Sequence, residues 1–401
     1  MGPLTAIAAV AAAWALTIFL RTGWAVLRSG SALWLSDQPA DEPVSGWPRL
    51  AVIFPARNEA ETIQQATRSM LGQDYPRLEV IAADDHSTDG TGALLDALAA
   101  ADPRLHVVHV GELPRAWLGK SHAQQVASEA TAAEWLLFTD AAAVFDPPAL
   151  RRAVAYAEAR RIDHLVVAPQ YVTENEWERV FLAMSSVLFA ARLPPWEVSD
   201  ARTKTALGAS AFNLVRAEAF RAIGGLRRLS LSVDGHLKLG KALKFAGYRP
   251  AFLLGRASVS VRWRAELGGL IRGMEKNLFA ICDFRITQVL AVVAMLTGLG
   301  ILPYVGLVVG PWWSRGVALV AIGVLMTTLG TVRGQNGISW YHAFVLPFGA
   351  VACLIALLRS VWCTLRRGGV CWRDRFYPLE DLRAHVRRRN AWLREVWLST
   401  R

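Results

Sequence analysis

The 401-residue sequence has little from which a covalent or metal frame could be built. Its four cysteines, Cys282, Cys353, Cys363 and Cys371, show no C-x-x-C spacing and lie in or beside apolar segments. They read as small buried hydrophobes of a reducing compartment, not as a zinc or disulfide framework. Glycine-rich phosphate loops are also missing. No G-x-G-x-x-G follows the first strand candidate and no G-x-x-x-x-G-K-S/T occurs, which argues against a dehydrogenase or a P-loop enzyme. Charge is scarce, at 19% of residues against 53% hydrophobic. That balance suits a globular domain joined to membrane segments better than a wholly soluble protein. Acid is the minority within this small charged set, and the net charge is +11. The basic residues gather near the C-terminal end and do not interleave with aromatics along one face. An anionic membrane surface is therefore the expected partner, and nucleic acid is not.

The apolar residues fall into long runs. Residues 3–27 carry Ile7, Val10, Trp14, Ile18 and Val26 with Arg21 as the only charge, a length that suits a membrane-spanning anchor. A cleaved signal peptide would need a basic region ahead of the apolar stretch, and there is none. Arg21 and Arg28 flank its C-terminal side, which puts residue 30 onward in the cytoplasm by the positive-inside rule. Three further runs, 287–310, 315–332 and 343–363, are each near spanning length. Pro303 makes the first a candidate for a broken span, and Pro347 with Gly349 does the same for the third. Ahead of them, 266–285 mixes basic residues with Leu270, Ile271, Met274 and Phe279, the pattern of an amphipathic interfacial helix or an ordinary surface helix. Behind them, 366–401 is a basic tail with Arg366, Arg367, Arg373, Arg375 and Arg387-Arg388-Arg389. Three full spans would put this tail outside, whereas the charge rule wants it inside.

Between the anchor and these runs, a breaker-rich linker (31–48) gives way to alternating apolar strands and helical patterns. Strands are expected at Leu50–Phe54, Leu78–Ala82, Leu105–Val110, Trp135–Thr139, Leu165–Ala168 and Gly208–Arg216, with helices between them. This alternation argues for a doubly wound, mostly parallel α/β sheet, whose ligands sit beyond the carboxyl ends of the strands. Acids stand at those ends: Asp84 and Asp85, then Asp140, then Asp234. Asp89, in Ser87-Thr88-Asp89-Gly90, reads as turn and cap chemistry. Asp146 reads as the cap of the helix that begins at Pro147-Pro148. One acid at a strand end is ordinarily a cap or turn former, but four at one sheet edge are harder to explain that way.

Residues 49–285 resemble the family 2 glycosyltransferases with a GT-A fold. The matching motifs are Pro55-Ala56-Arg57-Asn58-Glu59, Asp84-Asp85-His86-Ser87-Thr88-Asp89-Gly90-Thr91, Gly119-Lys120, Thr139-Asp140-Ala141 and Val233-Asp234-Gly235-His236-Leu237. The membrane segments resemble those of the lipid-glycosylating branch (ceramide, hopanoid and carotenoid glycosyltransferases), as does Trp372-Arg373-Asp374-Arg375-Phe376-Tyr377 more weakly. The resemblance implies an α/β GT-A nucleotide-sugar-binding (Rossmann-like) domain at 49–265 with flanking transmembrane helices, 1–30 and 286–365. It implies that Pro55, Ala56, Arg57 and Glu59 line the nucleoside end of the donor, and that Asp84 or Asp85 accepts a hydrogen bond from the base. Lys120 meets the diphosphate, and Asp140 is the first acid of a D-x-D element that touches ribose and a divalent cation, Mg²⁺ or Mn²⁺. The second acid of that element is replaced by Ala142. Asp234 is the expected catalytic base, with Val233 where the family pattern has another acid; a helix N-cap is its alternative. His236 is a possible metal ligand. Arg262-Trp263 matches the end of a Q/R-x-x-R-W element, facing the diphosphate or the acceptor, although Val259 stands at its first position.

The expected activity is inverting transfer of a hexose from a nucleotide sugar, taken to be a UDP-sugar, to a membrane lipid. The expected location is a bacterial inner membrane with the catalytic domain cytoplasmic. A processive polysaccharide synthase is the alternative enzyme. A non-catalytic nucleotide-sugar-binding membrane protein is the alternative outside catalysis.

Overall fold

In the computed structural model the described residues are 34–262, 267–331, 336–373 and 375–400. The expected anchor at 1–30 and the expected site residue Trp263 lie outside them. The chain divides into two compact units.

One unit comprises 34–172, 195–262 and 384–400. Its strands are β1 (Leu50–Ala56), β2 (Leu78–Asp84), β3 (Leu105–His109), β4 (Trp135–Phe138), β5 (Ala143–Phe145), β6 (His164–Ala168), β7 (Gln170–Val172), β8 (Asn213–Arg216), β9 (Pro250–Leu254) and β10 (Val259–Arg262). Seven form a sheet in the order β3-β2-β1-β4-β8-β6-β9. The β3-β2-β1-β4 half is parallel, and β8 runs antiparallel to both of its neighbours. This is a mixed α/β sheet of the GT-A type.

Side chains alternate across β1. Leu50, Val52 and Phe54 enter one core, together with Ile63, Ala66 and Met70 of the helix Ile63–Leu71 and with Leu150, Ala153 and Val154 of Ala149–Ala159. Ala51 and Ile53 enter the other, with Ala123 and Ala127 of Gly119–Glu129 and Leu239, Ala242 and Phe245 of Gly235–Phe245. Burial on both faces is why these strands read as continuous apolar runs and lack polar alternation.

β5, β7 and β10 form a second, three-stranded sheet in the order β5-β10-β7. These strands and β9 are shorter than six residues and gave no period that stands out from the surrounding loops. The strand expected at 208–216 is confined to Asn213–Arg216. Gly208 ahead of it is pressed against the chain, since a Cβ there would lie 1.9 Å from the carbonyl oxygen of His236.

The other unit comprises Thr173–Pro194 and the described residues between 267 and 383. The helix Glu176–Arg192 opens with Asn175, whose side chain accepts the Glu178 N–H. In place of one amphipathic helix, 266–285 holds two short ones, Leu267–Met274 and Leu278–Ile281. Between them Glu275 turns to pair with Arg359 at 3.1 Å and Arg367 at 2.6 Å. Two helices, Trp312–Gly330 and Trp340–Arg367, are long and apolar enough to cross a membrane. Among the described residues a third span exists only if Ile286–Gly300 and Leu302–Val309 count as one, and they are bent by 44°.

That bend falls at Ile301, two residues before Pro303, the residue expected to break the first run. Pro303 and Pro347 each occupy the first turn of a helix, Leu302–Val309 and Leu346–Arg367, where a missing N–H costs nothing. Leu290, Val308, Leu319, Phe348, Leu358 and Trp362 on these helices are exposed to more than half of their surface. So many large apolar side chains facing outward fit a lipid environment. The expected basic tail is folded: Gly369–Trp372 and Arg375–Pro378 form a hairpin, and Leu379–Ser399 is a helix.

Candidate active site

β1 and β2 end side by side, Ala56 opposite Asp84, and the turns that leave them are stitched together. Asn58 takes a left-handed backbone, φ 54°, and its Oδ1 accepts the Thr88 N–H at 2.8 Å. Thr91 Oγ1 accepts the Glu59 N–H at 2.9 Å, and Asp89 accepts the Ala60 N–H at 3.0 Å. The Thr91 hydroxyl and the Ala60 amide hold the Asp89 carboxyl below its usual range, so Asp89 is a turn former.

The adjacent acids do different things. Asp84 accepts the Ser87 N–H at 3.2 Å, and its other oxygen lies 3.3 Å from His109 Nδ1. Hydrogen bonds that the His109 ring donates to the Asp96 and Asp84 carboxylates raise the His109 pKa. Asp85 is held by its own amide on the Ala56 carbonyl at 2.8 Å. Its carboxylate lies 3.7 Å from Arg57 and 3.1 Å from His86. A Cβ added at Gly119 would stand 2.3 Å from Asp85 Oδ2, so the start of the helix Gly119–Glu129 is fitted against this carboxylate. Gly119→Ala is expected to push Asp85 off Arg57. If Asp85 serves a nucleotide base, as the resemblance implies, nucleotide affinity measured by calorimetry should fall about tenfold, a 1.4 kcal/mol effect, with little change in melting temperature.

Lys120, one residue into the same helix, is ion-paired to Asp140, which follows β4. Burial works to raise the Asp140 pKa, but the Lys120 charge and hydrogen bonds from Lys120 and Ser210 prevail and hold it well below the ordinary carboxylate range. His236 is driven down to about 3 by burial and by the Lys120 charge, so its ring is neutral at physiological pH. Tyr171 of β7 is pushed up to about 12, by burial and then by the Asp140 charge. Lys120, Asp140, His236 and Tyr171 thus act on one another. Arg262, exposed at the end of β10, extends from the strand whose Val261 pairs with Tyr171.

Asp234 occupies the N-cap position of the helix Gly235–Phe245, but its side chain makes no capping hydrogen bond. It pairs with two buried cations instead. Lys238 Nζ is 3.1 Å from Oδ2 and Arg389 Nη1 is 3.9 Å from Oδ1. The Asp234 side chain is 8% exposed and the Arg389 side chain 1%. Neither cation is apparent from the motifs. Lys238 could have been found, because a residue four positions on lies over the N-terminal turn of a helix. Arg389 lies 155 positions away and carries no local signal.

A divalent cation can be tested against these residues. Among the described residues no group of three His, Cys, Asp or Glu side chains gathers. The available donors are one carboxylate, Asp140, and one neutral imidazole, His236. That set fits a hard ion that takes most of its ligands from substrate phosphates and water.

The sheet topology and the stitched β1 and β2 ends place these charged residues at the carboxyl edge of a GT-A-type sheet. Residues 51–222 match the family Glycosyl transferase family 2. The succinoglycan biosynthesis protein ExoA of Rhizobium meliloti is 27% identical over 77% of this chain and 90% of its own length. The beta-monoglucosyldiacylglycerol synthase of Synechocystis sp. is 34% identical over 33% of this chain but only 28% of its own length. Among solved structures, a mannosyltransferase from Pyrobaculum calidifontis in complex with GDP-Man and Mn²⁺ shares the fold. Its TM-score is 0.53 at 20% identity, over 90% of this chain and 98% of that one.

Proposed function

We propose that the protein is an inverting, membrane-bound glycosyltransferase that moves a hexose from a nucleotide sugar, a UDP-sugar in this reading, to a membrane lipid. One observation carries the reading. Donor-side charges, Arg57–Asp85 and Lys120–Asp140, are assembled at one sheet edge in a chain that also has a buried, non-capping carboxylate at Asp234.

In this reading Pro55, Ala56, Arg57 and Glu59 line the nucleoside. Asp85 accepts the hydrogen bond from the base, and Asp84, already tied to Ser87 and His109, braces the turn. Lys120 meets the diphosphate, leaving Asp140 for ribose and cation. A divalent ion bound with the donor would neutralise charge on the leaving diphosphate, and Asp140 with His236 are the residues that would hold it. Asp234 takes the proton of the acceptor hydroxyl as that oxygen attacks the anomeric carbon. Arg262 serves the acceptor or diphosphate side in this reading, and Trp263, which follows it in sequence, is assigned the same role. The apolar helices keep the domain at the membrane where a lipid acceptor resides. A bacterial inner membrane with the sheet domain in the cytoplasm is the location this implies, since nucleotide sugars are cytoplasmic.

Two observations support lipid transfer. The Synechocystis relative is named for a glycosylated diacylglycerol, and the first position of the Q/R-x-x-R-W element is Val259. The R. meliloti relative is named for succinoglycan biosynthesis and is matched over most of its length, which keeps polysaccharide assembly as a second reading. The test is an assay of membranes containing the protein with a panel of labelled nucleotide sugars, followed by lipid extraction and mass spectrometry. One sugar on one lipid is the expected product. A polymer would favour the second reading, and binding of nucleotide without any transfer would defeat both.

A further inference from the structure

We infer that Arg389 is a positioning residue for Asp234, so that the 384–400 helix is part of the catalytic domain. The inference rests on the reading of Asp234 as the base. Within the helix Leu379–Ser399, four buried side chains recur every fourth residue: His385, Arg389, Leu393 and Trp397. Residues at that spacing share one face. The apolar half of this stripe, Leu393 and Trp397, enters the core that holds Leu239, Ala242 and Phe245, and the Trp397 and Phe245 rings lie 4.6 Å apart. The Thr400 hydroxyl adds a hydrogen bond to the Phe245 carbonyl at 2.8 Å. The helix is thereby fixed against the one that begins after Asp234.

The polar half of the stripe grips the loop before that helix. Arg389 Nη1 donates to Ser232 Oγ at 3.2 Å and lies 3.9 Å from Asp234 Oδ1. His385 Nε2 is 3.2 Å from the same Ser232 hydroxyl. The Ser232 amide is meanwhile bonded to the Leu229 carbonyl at 2.8 Å. A buried guanidinium is costly unless it is paired and hydrogen-bonded. Arg389 is paired two residues apart, at Ser232 and Asp234, which fixes both the loop and the carboxylate at its end. Lys238 holds Oδ2 from inside the same helix, and Arg389 approaches Oδ1 from a different part of the chain. Together they set the rotation of the carboxylate that is to meet the acceptor hydroxyl.

The test uses the full chain in membranes, with Arg389→Gln, Arg389→Lys, Trp397→Ala and Asp234→Asn. Arg389→Gln should lower kcat by about 10- to 100-fold, the scale of a misplaced reacting group. The donor KM and the calorimetric affinity for UDP should stay within about twofold. Arg389→Lys should recover part of kcat. Trp397→Ala should lower the melting temperature without a selective loss of kcat in the folded fraction. The inference is overturned if Arg389→Gln keeps full kcat while Asp234→Asn is inactive, a result that leaves the proposed function standing. It is also overturned if Arg389→Gln loses nucleotide binding and stability in step with Trp397→Ala, because the role is then only structural. Full activity in Asp234→Asn would remove the reading on which the inference depends.

Discussion

Asp234→Asn is expected to lower sugar transfer by about 10²–10⁴-fold, the usual contribution of a general base, with nucleotide affinity nearly unchanged. Asn has the shape of Asp but cannot take the acceptor proton. The nucleotide contacts assigned to Arg57, Asp85 and Lys120 do not involve position 234. The same substitution leaves Lys238 and Arg389 facing a neutral amide. Breaking a buried pair costs about 3–5 kcal/mol, so a lower melting temperature should accompany the loss of turnover. Measuring kcat at a temperature where calorimetry shows full nucleotide binding separates the two effects. A folded Asp234→Asn protein with normal turnover would remove Asp234 from the mechanism.

The second large effect is expected at Lys120. Lys120→Met keeps the length and apolar stem of the side chain and removes its charge. In the proposed reading that charge stabilises the departing diphosphate. Loss of one such preorganised group costs about 10²–10³ in kcat, and kcat/KM for the donor should fall by at least as much. Asp140 loses its ion-pair partner at the same time and keeps only the Ser210 hydrogen bond and the neutral His236 beside it. Steady-state kinetics at saturating acceptor, with the donor varied, reads both parameters. Unchanged kinetics would mean that the Lys120–Asp140 pair is a structural ion pair at the sheet edge.

The half of the site nearest β1 and β2 was legible because its chemistry is local. Pro55 to Glu59 and Asp84 to Thr91 sit directly after apolar runs, and parallel pairing brings those two strand ends together. Lys120 and Asp140 were legible for the same reason, Lys120 in the first turn of a helix and Asp140 just beyond β4. The surroundings of Asp234 were not. Its N-cap alternative was reasonable on spacing and fails because the side chain turns to Lys238 and Arg389 in place of the first helical amides. The basic tail misled by composition. Arg387-Arg388-Arg389 reads as a solvated or membrane-facing run, but a helix sends neighbouring residues in different directions. Arg387 and Arg388 are exposed while Arg389 points inward. The stripe His385-Arg389-Leu393-Trp397 was present in the sequence, hidden because two of its members are polar. The small second sheet was missed because three- and four-residue strands give too few residues to establish a period.

The sheet domain is discontinuous, and its pieces emerge from the ribosome out of spatial order. The strands are made first, the apolar helices between 286 and 367 follow, and the helix that carries Arg389 comes after them. Domains can begin to fold while synthesis proceeds, but this one cannot close its core around Leu393 and Trp397 until the apolar helices have been made. A chain halted within those helices would hold the donor-side turns and lack the grip on Ser232 and Asp234. In the proposed reading, transfer competence would then arrive only after the apolar helices are complete, which ties the onset of chemistry to the last part of the chain to be made.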